Sequence, residues 1–329
     1  MDMLAMLMQL TAAYGPSGQE GAVADALESL SAPYASEISR DVLGNLIVRR
    51  KGAGKRVLFC AHMDSTGFIV TNIDKNGFVR FAKIGGVSSG FCTGTPIRFA
   101  NGTRGIVCAD GNFIKSKSQD DLYIDVGGAD PVAVGDTAVF DQPITAQGGA
   151  VMAPNLNNRA GCAVLLAALA ETQTDNDLYF VFSAQSELGA RGAKTAAYSL
   201  RPDYAFTVDL TRAGDTPECK PKSDVRLGGG AVIRLMDNSV ICHPQVVHYL
   251  QTNAERSHIR TQRQVLHPGA DSVGGGSSSD AGPIHRSRAG VPTGVISIPA
   301  RYLHTPQEMC FFSDIEECVK LVTCAAKIP

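Results

Sequence analysis

Two textures share this chain, and together they limit the folds open to it. In the outer parts, apolar strand-like runs alternate with helical periodicity. NLIVRR and KRVLFCAH read as strands, RAGCAVLLAALAET as a helix, DLYFVFSA and YAFTVDL as strands, HPQVVHYLQTNAER as a helix with Pro244 in its first turn, and GVISIP as a strand. From about residue 66 to 148, the short runs GFIVTNI, GFVRFAKI, TPIRFA and RGIVCA are separated by Gly, Asn and Asp turn signals, with little helical periodicity. The outer texture predicts the α/β class, a parallel or mixed sheet covered by helices on both faces. The inner one predicts a small all-β barrel inserted into it. Residues 1–65 and 149–329 then form one domain and 66–148 the insert. At 329 residues, 44% of them hydrophobic, the chain can bury a core of that size.

Local signals set expectations for the helices. Ser17 and Glu20 have capping-box spacing ahead of a face of Ala22, Val23, Ala26, Leu27 and Leu30; Ser313 and Glu316 repeat that spacing before the last helix. The opening MDMLAMLMQL carries Asp2, lacks a basic flank and a small-residue cleavage site, and places Met3, Leu4, Leu7 and Leu10 at helical spacing. It reads as a packed amphipathic helix rather than a signal peptide.

Charge and cysteine usage narrow the partners. With 30 Lys+Arg against 32 Asp+Glu and no basic block, nucleic acid is not an expected partner, and no run has the length of a membrane span. The 9 cysteines are odd in number, scattered, and form no CxxC pair, which fits reduced thiols in a cytoplasm.

Four polar residues follow apolar strand-like runs, where a sheet of this class gathers a site: His62 in CAHMDS, Glu187 in SAQSELG, Asp209 in TVDLT and His304 in RYLHTP. Imidazole and carboxylate are ligands that zinc and neighbouring divalent ions accept, and Asp64 is spaced to orient His62 from behind. The same spacing also suits a buried histidine satisfied by a carbonyl and a glutamate capping a helix. GGGSSSDAG lacks the GK[ST] and Rossmann spacings, and reads as a loop near the cleft. Serines, His285 and His304 could form a triad, yet no GxSxG elbow exists. His243, His248, His258 and His267 read as surface or helix residues and Cys162 as core, while Arg159 and Arg301 suit either site carboxylates or structural ion pairs.

From YGPSGQE through VLGNLIV, AHMDSTGFIV, VGDTAVF, NLNNRAGCAV, ELGARGAKTAA, VDLTRAGDTP and GGGSSSDAGPIHRSRAGVPTGVISIPARYLHTP, the chain resembles the tetrahedral and glutamyl-aminopeptidase family of dinuclear-metal aminopeptidases. The resemblance implies a zinc-exopeptidase-like α/β fold whose β insert joins subunits into dimers, and a homo-oligomer as large as a dodecamer. Its implied substrates are the N-termini of short peptides, and its implied cofactors two divalent ions, zinc, cobalt or manganese. His62 and Asp209 would hold one metal, Glu187 and His304 the other. The family adds a bridging aspartate, which falls on Asn157, and a general-base glutamate, which falls on Ser186.

Those two departures bear on the chemistry. Two bare dications about 3.5 Å apart repel by about 19 kcal/mol at an effective dielectric of about 20, a scale that anionic ligands must offset. Asn157 brings one neutral oxygen and a nitrogen that cannot ligate. A serine hydroxyl has little proton affinity, and general-base assistance is worth roughly 10²–10⁴-fold. The expectation is one metal or none and a weakened or inactive site. The departures leave three readings open: an active aminopeptidase in which a nearby carboxylate such as Asp64 or Asp280, or the substrate itself, serves as base, other hydrolysis such as deacylation, and a non-catalytic peptide-binding or assembly subunit.

Overall fold

A computed structural model describes residues 2–110, 121–128, 132–217, 219, 223–266 and 278–329. The chain opens with α1 (Met3–Ala12), whose Asp2 Oδ1 accepts the backbone N–H groups of Leu4 and Ala5, and α2 (Gly21–Ser31). Strands β1 (Glu37–Arg40), β2 (Leu46–Arg50) and β3 (Arg56–His62) follow. Then come β4 (Gly67–Ile73), β5 (Val79–Ile84), β6 (Pro96–Phe99), β7 (Arg104–Ala109), β8 (Leu122–Asp125) and β9 (Thr137–Phe140), which close into a barrel in the order β4-β5-β8-β7-β6-β9. A core of its own fills the barrel, with Phe68 set edge-on to both Phe81 and Phe140.

The chain returns through β10 (Thr145–Gln147) and β11 (Ala150–Ala153) to α3 (Leu156–Glu171), β12 (Asp177–Ser183), α4 (Arg191–Leu200), β13 (Tyr204–Arg212) and β14 (Ala231–Met236). It ends with α5 (Pro244–Arg256), β15 (Thr261–Val265), α6 (Ala281–His285), β16 (Thr293–Arg301), β17 (Glu308–Phe311) and α7 (Phe312–Ala325). The large sheet runs β1-β2-β12-β3-β13-β16-β17-β11-β10, with β14 pairing to β16 and β15 to β14. Its centre, β12-β3-β13-β16, is parallel, and the flanks are antiparallel except that β14 and β15 pair in parallel. This is the mixed sheet that the alternation predicts. The central strands are buried along nearly their whole length, and Phe59 stacks between Phe180 and Phe206 at 5.3 and 5.4 Å.

Helix α3 packs on one face of the sheet together with α1 and α7, while Ala193, Ala196 and Ala197 of α4 join a separate cluster with Leu58 and Val181. The near-continuous apolar sequence of α3 follows from this position, with neighbours all round it.

Neither capping box forms. Ser17 Oγ donates to Asp64 and Glu20 Oε1 accepts the N–H groups of Gly18 and Gln185, so both side chains serve loops rather than the end of α2. At α7 the N-cap is Phe311, with no side-chain cap, because the helix begins directly off β17. His267 and the first four residues of GGGSSSDAG, 274–277, lie outside the described residues.

Candidate active site

The parallel register aligns the first elements of the site. Ser183, at the end of β12, pairs with His62, at the end of β3. Thr207 of β13 pairs with Cys60, which puts Asp209 level with His62, where pairing to β3 has ended. Asp209 thus lies inside β13, which runs on to Arg212 beside β16, rather than past a strand end as expected. Ser186 and Glu187 sit in the turn from β12 to α4, and His304, at φ 61°, in the turn from β16 to β17. Asn157 precedes the regular part of α3, where Asn157 and Asn158 have non-helical dihedral angles. All six side chains line one cavity of about 450 Å³.

Asp64 lies behind them, fully buried, and does more than orient His62. Its Oδ1 is 3.3 Å from His62 Nδ1 and accepts the Ser186 N–H at 2.9 Å; its Oδ2 accepts the Glu187 N–H at 3.0 Å and the Ser17 hydroxyl at 2.6 Å. One carboxylate therefore fixes both the imidazole and the turn carrying Glu187. Burial works against charge on His62, but the hydrogen bond and charge of Asp64, with Asp209 nearby, outweigh it and hold the imidazole up to about 10. Asp64 is held below the usual carboxylate value by the same pairing, against its own burial. A cation at His62 Nε2 must displace that proton.

The candidate ligands form two pairs. His62 Nε2 lies 3.8 Å from Asp209 Oδ1, and His304 Nε2 lies 3.8 Å from Glu187 Oε1. Asn157 Nδ2 sits against the second pair, 3.0 Å from His304 Nε2 and 3.4 Å from Glu187 Oε1. With His304 Nδ1–H directed at the Gly86 carbonyl at 3.3 Å, Nε2 is left as the acceptor for that amide. Asn157 Oδ1 is buried and has no hydrogen-bond partner among the described residues. Among the described residues, no group of three or more His, Cys, Asp or Glu converges to hold a metal ion. The donor chemistry favours a cation at the first pair over one at the second, because the Asn157 amide nitrogen facing His304 and Glu187 cannot ligate.

Three further residues shape the site. Glu308, buried at the start of β17, accepts the N–H groups of Asn157 and His304, both at 2.7 Å, and so joins the two loops. Burial pushes its carboxyl up to about 7, against the pull of His304 and those two N–H groups. An acidic residue within an otherwise apolar strand, four positions after His304, was the signal available. Asp280 accepts the Ser186 hydroxyl at 2.7 Å. Arg159 is fully buried, with Nη2 donating to the Gly15 carbonyl and, among the described residues, no partner for Nε or Nη1. Of the other residues singled out in the sequence, Arg301 lines the cavity but is held by Asp215 in a two-point ion pair, and Cys162 is buried core. His285 Nδ1 faces the Val291 carbonyl rather than a serine, His248 and His258 are exposed, and His243 occupies the residue before α5 without its side chain capping the helix.

The α/β sheet with its barrel insert is an architecture shared with solved aminopeptidases. The solved aminopeptidase APDkam598 from Desulfurococcus kamchatkensis superposes at TM-score 0.92, with 31% identity, covering 99% of this chain and 94% of that one. A Pyrococcus horikoshii TET1 peptidase, which can assemble into a tetrahedron or a large octahedral shell, superposes at 0.86 with 29% identity over the whole of both chains. A protein of Acetivibrio thermocellus named "Putative aminopeptidase" is 42% identical over 330 residues, 98% of this chain and 97% of that protein. The M42 glutamyl aminopeptidase pattern matches residues 44–321, and the chain belongs to that family.

Proposed function

We propose that this protein is a weakened aminopeptidase, holding one divalent cation and releasing N-terminal residues slowly from short peptides. His62, Asp209 and the Asn157 amide oxygen would hold the ion, with zinc, cobalt and manganese all suited to such donors. Bound there, it would supply Lewis-acid polarisation and an acidified water. The observation carrying the reading is the Asn157 amide nitrogen lying against Glu187 and His304, since a neutral donor takes the place of a second cation between those ligands. Glu187 Oε and the Ser186 hydroxyl oxygen then remain as acceptors in the cleft, suited to a peptide α-ammonium. Assembly into a homo-oligomer, as with the tetrahedral and octahedral relative, belongs to the same reading. Among the described residues no helix is long and apolar enough to cross a membrane; a cytoplasmic setting is proposed from nine scattered cysteines that form no CxxC pair.

The test is metal per chain and turnover on aminoacyl-anilides and short peptides, for the natural protein and for Asn157→Asp/Ser186→Glu. The natural protein should hold at most one ion and turn over at least about 10²-fold more slowly than the double variant. Two ions per chain with brisk turnover in the natural protein would sink the reading.

A further inference from the structure

Ser186 occupies the base position, and an isolated hydroxyl cannot fill that role. This hydroxyl is not isolated. Its Oγ–H donates to Asp280 Oδ1 at 2.7 Å, and Asp280 is only 5% exposed. The other oxygen of Asp280 accepts Ser183 Oγ–H at 2.5 Å and Cys60 Sγ–H at 3.4 Å. Ser186 lines the cavity and Asp280 is not among the described residues that do, so the serine stands between cleft and carboxylate. Because the one hydroxyl proton is committed to Asp280, Ser186 Oγ presents lone pairs to the cleft. It can accept a hydrogen bond from water there, not donate one.

We infer that Ser186 and Asp280 form a two-step proton relay that stands in for the missing general base. The inference rests on the weakened-aminopeptidase reading. As a cleft water's oxygen bonds to the scissile carbonyl carbon, its proton passes to Ser186 Oγ while the serine proton passes to Asp280 Oδ1. When the C–N bond breaks, the proton returns along the same path to the departing amine. Serine ends as a hydroxyl, Asp280 as a carboxylate, and one water has been added across the bond. Burial raises the proton affinity of Asp280 above that of an ordinary carboxylate, in the direction the relay needs. The three donors around it hold the acceptor oxygen in place without excluding a shared proton. Asp280 meets neither the water nor the substrate and acts only through Ser186, which is the group that meets the water.

Steady-state kinetics with zinc supplied, on an aminoacyl-anilide and a dipeptide, separate the relay from a merely structural hydrogen bond. Ser186→Ala and Asp280→Asn should each lower kcat about 10²-fold with KM changed less than about threefold, and the double variant should fall no further. Ser186→Thr, which keeps the hydroxyl, should recover kcat to within about tenfold of the natural protein. In the metal-free protein, a urea double-mutant cycle across the pair should show coupling of about tenfold or more in the unfolding constant. Turnover by Ser186→Ala equal to that of an active natural protein, or coupling near unity, overturns the relay alone. A natural protein that turns over nothing overturns the relay together with the activity it serves. Ser186 is partly exposed and small, so its alanine variant keeps the test decisive even if Asp280→Asn fails to fold.

Discussion

Replacing Asn157 by aspartate should destabilise the metal-free protein, although a one-atom change would ordinarily be mild. The amide nitrogen donates toward Glu187 Oε1 at 3.4 Å and stands 3.0 Å from His304 Nε2. Asn157→Asp puts a carboxylate oxygen there instead. At 3.4 Å and an effective dielectric of about 20, two carboxylates repel by about 5 kcal/mol, and the lost amide hydrogen bond adds about 1. Protonation of His304, now facing two carboxylates, returns part of this, leaving a net loss of about 2–4 kcal/mol. Urea unfolding in a chelating buffer measures it. Adding zinc should reverse the order: the variant has an anionic bridge and gains more from the metal than the natural protein does, by mass action on the folded state. Equal metal-free stability of the two proteins, within about 0.5 kcal/mol, would refute the placement of the amide nitrogen between Glu187 and His304.

Other perturbations test neighbouring parts of the account. A Cβ at Gly85, where φ is +74°, would come 2.5 Å from Glu187 Oε2 and 2.9 Å from its Cβ; Gly85→Ala should therefore cost about 1–3 kcal/mol and weaken metal or peptide binding, measured by calorimetry. Glu308→Gln leaves a donor facing one of two backbone N–H groups and should lower stability by about 2–4 kcal/mol in urea. Burial raises Asp177, but hydrogen bonds from Arg49 and Tyr179 outweigh it and depress the carboxyl below the ordinary 3.8. That pairing therefore stabilises the fold above 3.8 and is lost as pH falls through the depressed value. Asp177→Asn should cost about 1–2 kcal/mol at pH 7 by urea unfolding, with the gap closing as pH falls through the depressed value.

How far the sequence disclosed this molecule differs between fold and site. The barrel was readable from turn signals between short β runs, and the sheet from strands such as KRVLFCAH, because periodicity reports burial and burial sets these elements. His62, Glu187, Asp209 and His304 drew attention because they follow apolar strand-like runs, whereas Asn157 and Ser186 stood out only through the family resemblance. The capping boxes at Ser17/Glu20 and Ser313/Glu316 were misread: local spacing cannot tell that Asp64, 47 residues from Ser17, will claim its hydroxyl. Glu308 escaped notice because its partners are backbone N–H groups, which leave no trace in residue type. The two faces of the Asn157 amide could not be assigned from composition either. Which atom meets His304 is settled only by the packing of the His304 turn against the loop before α3.

The central claim is one cation per site, and anomalous diffraction from crystals soaked in zinc tests it most directly. The account predicts a single peak beside His62 and Asp209, with none between His304 and Glu187. Two peaks about 3.5–4 Å apart, the second between His304 and Glu187, would contradict it.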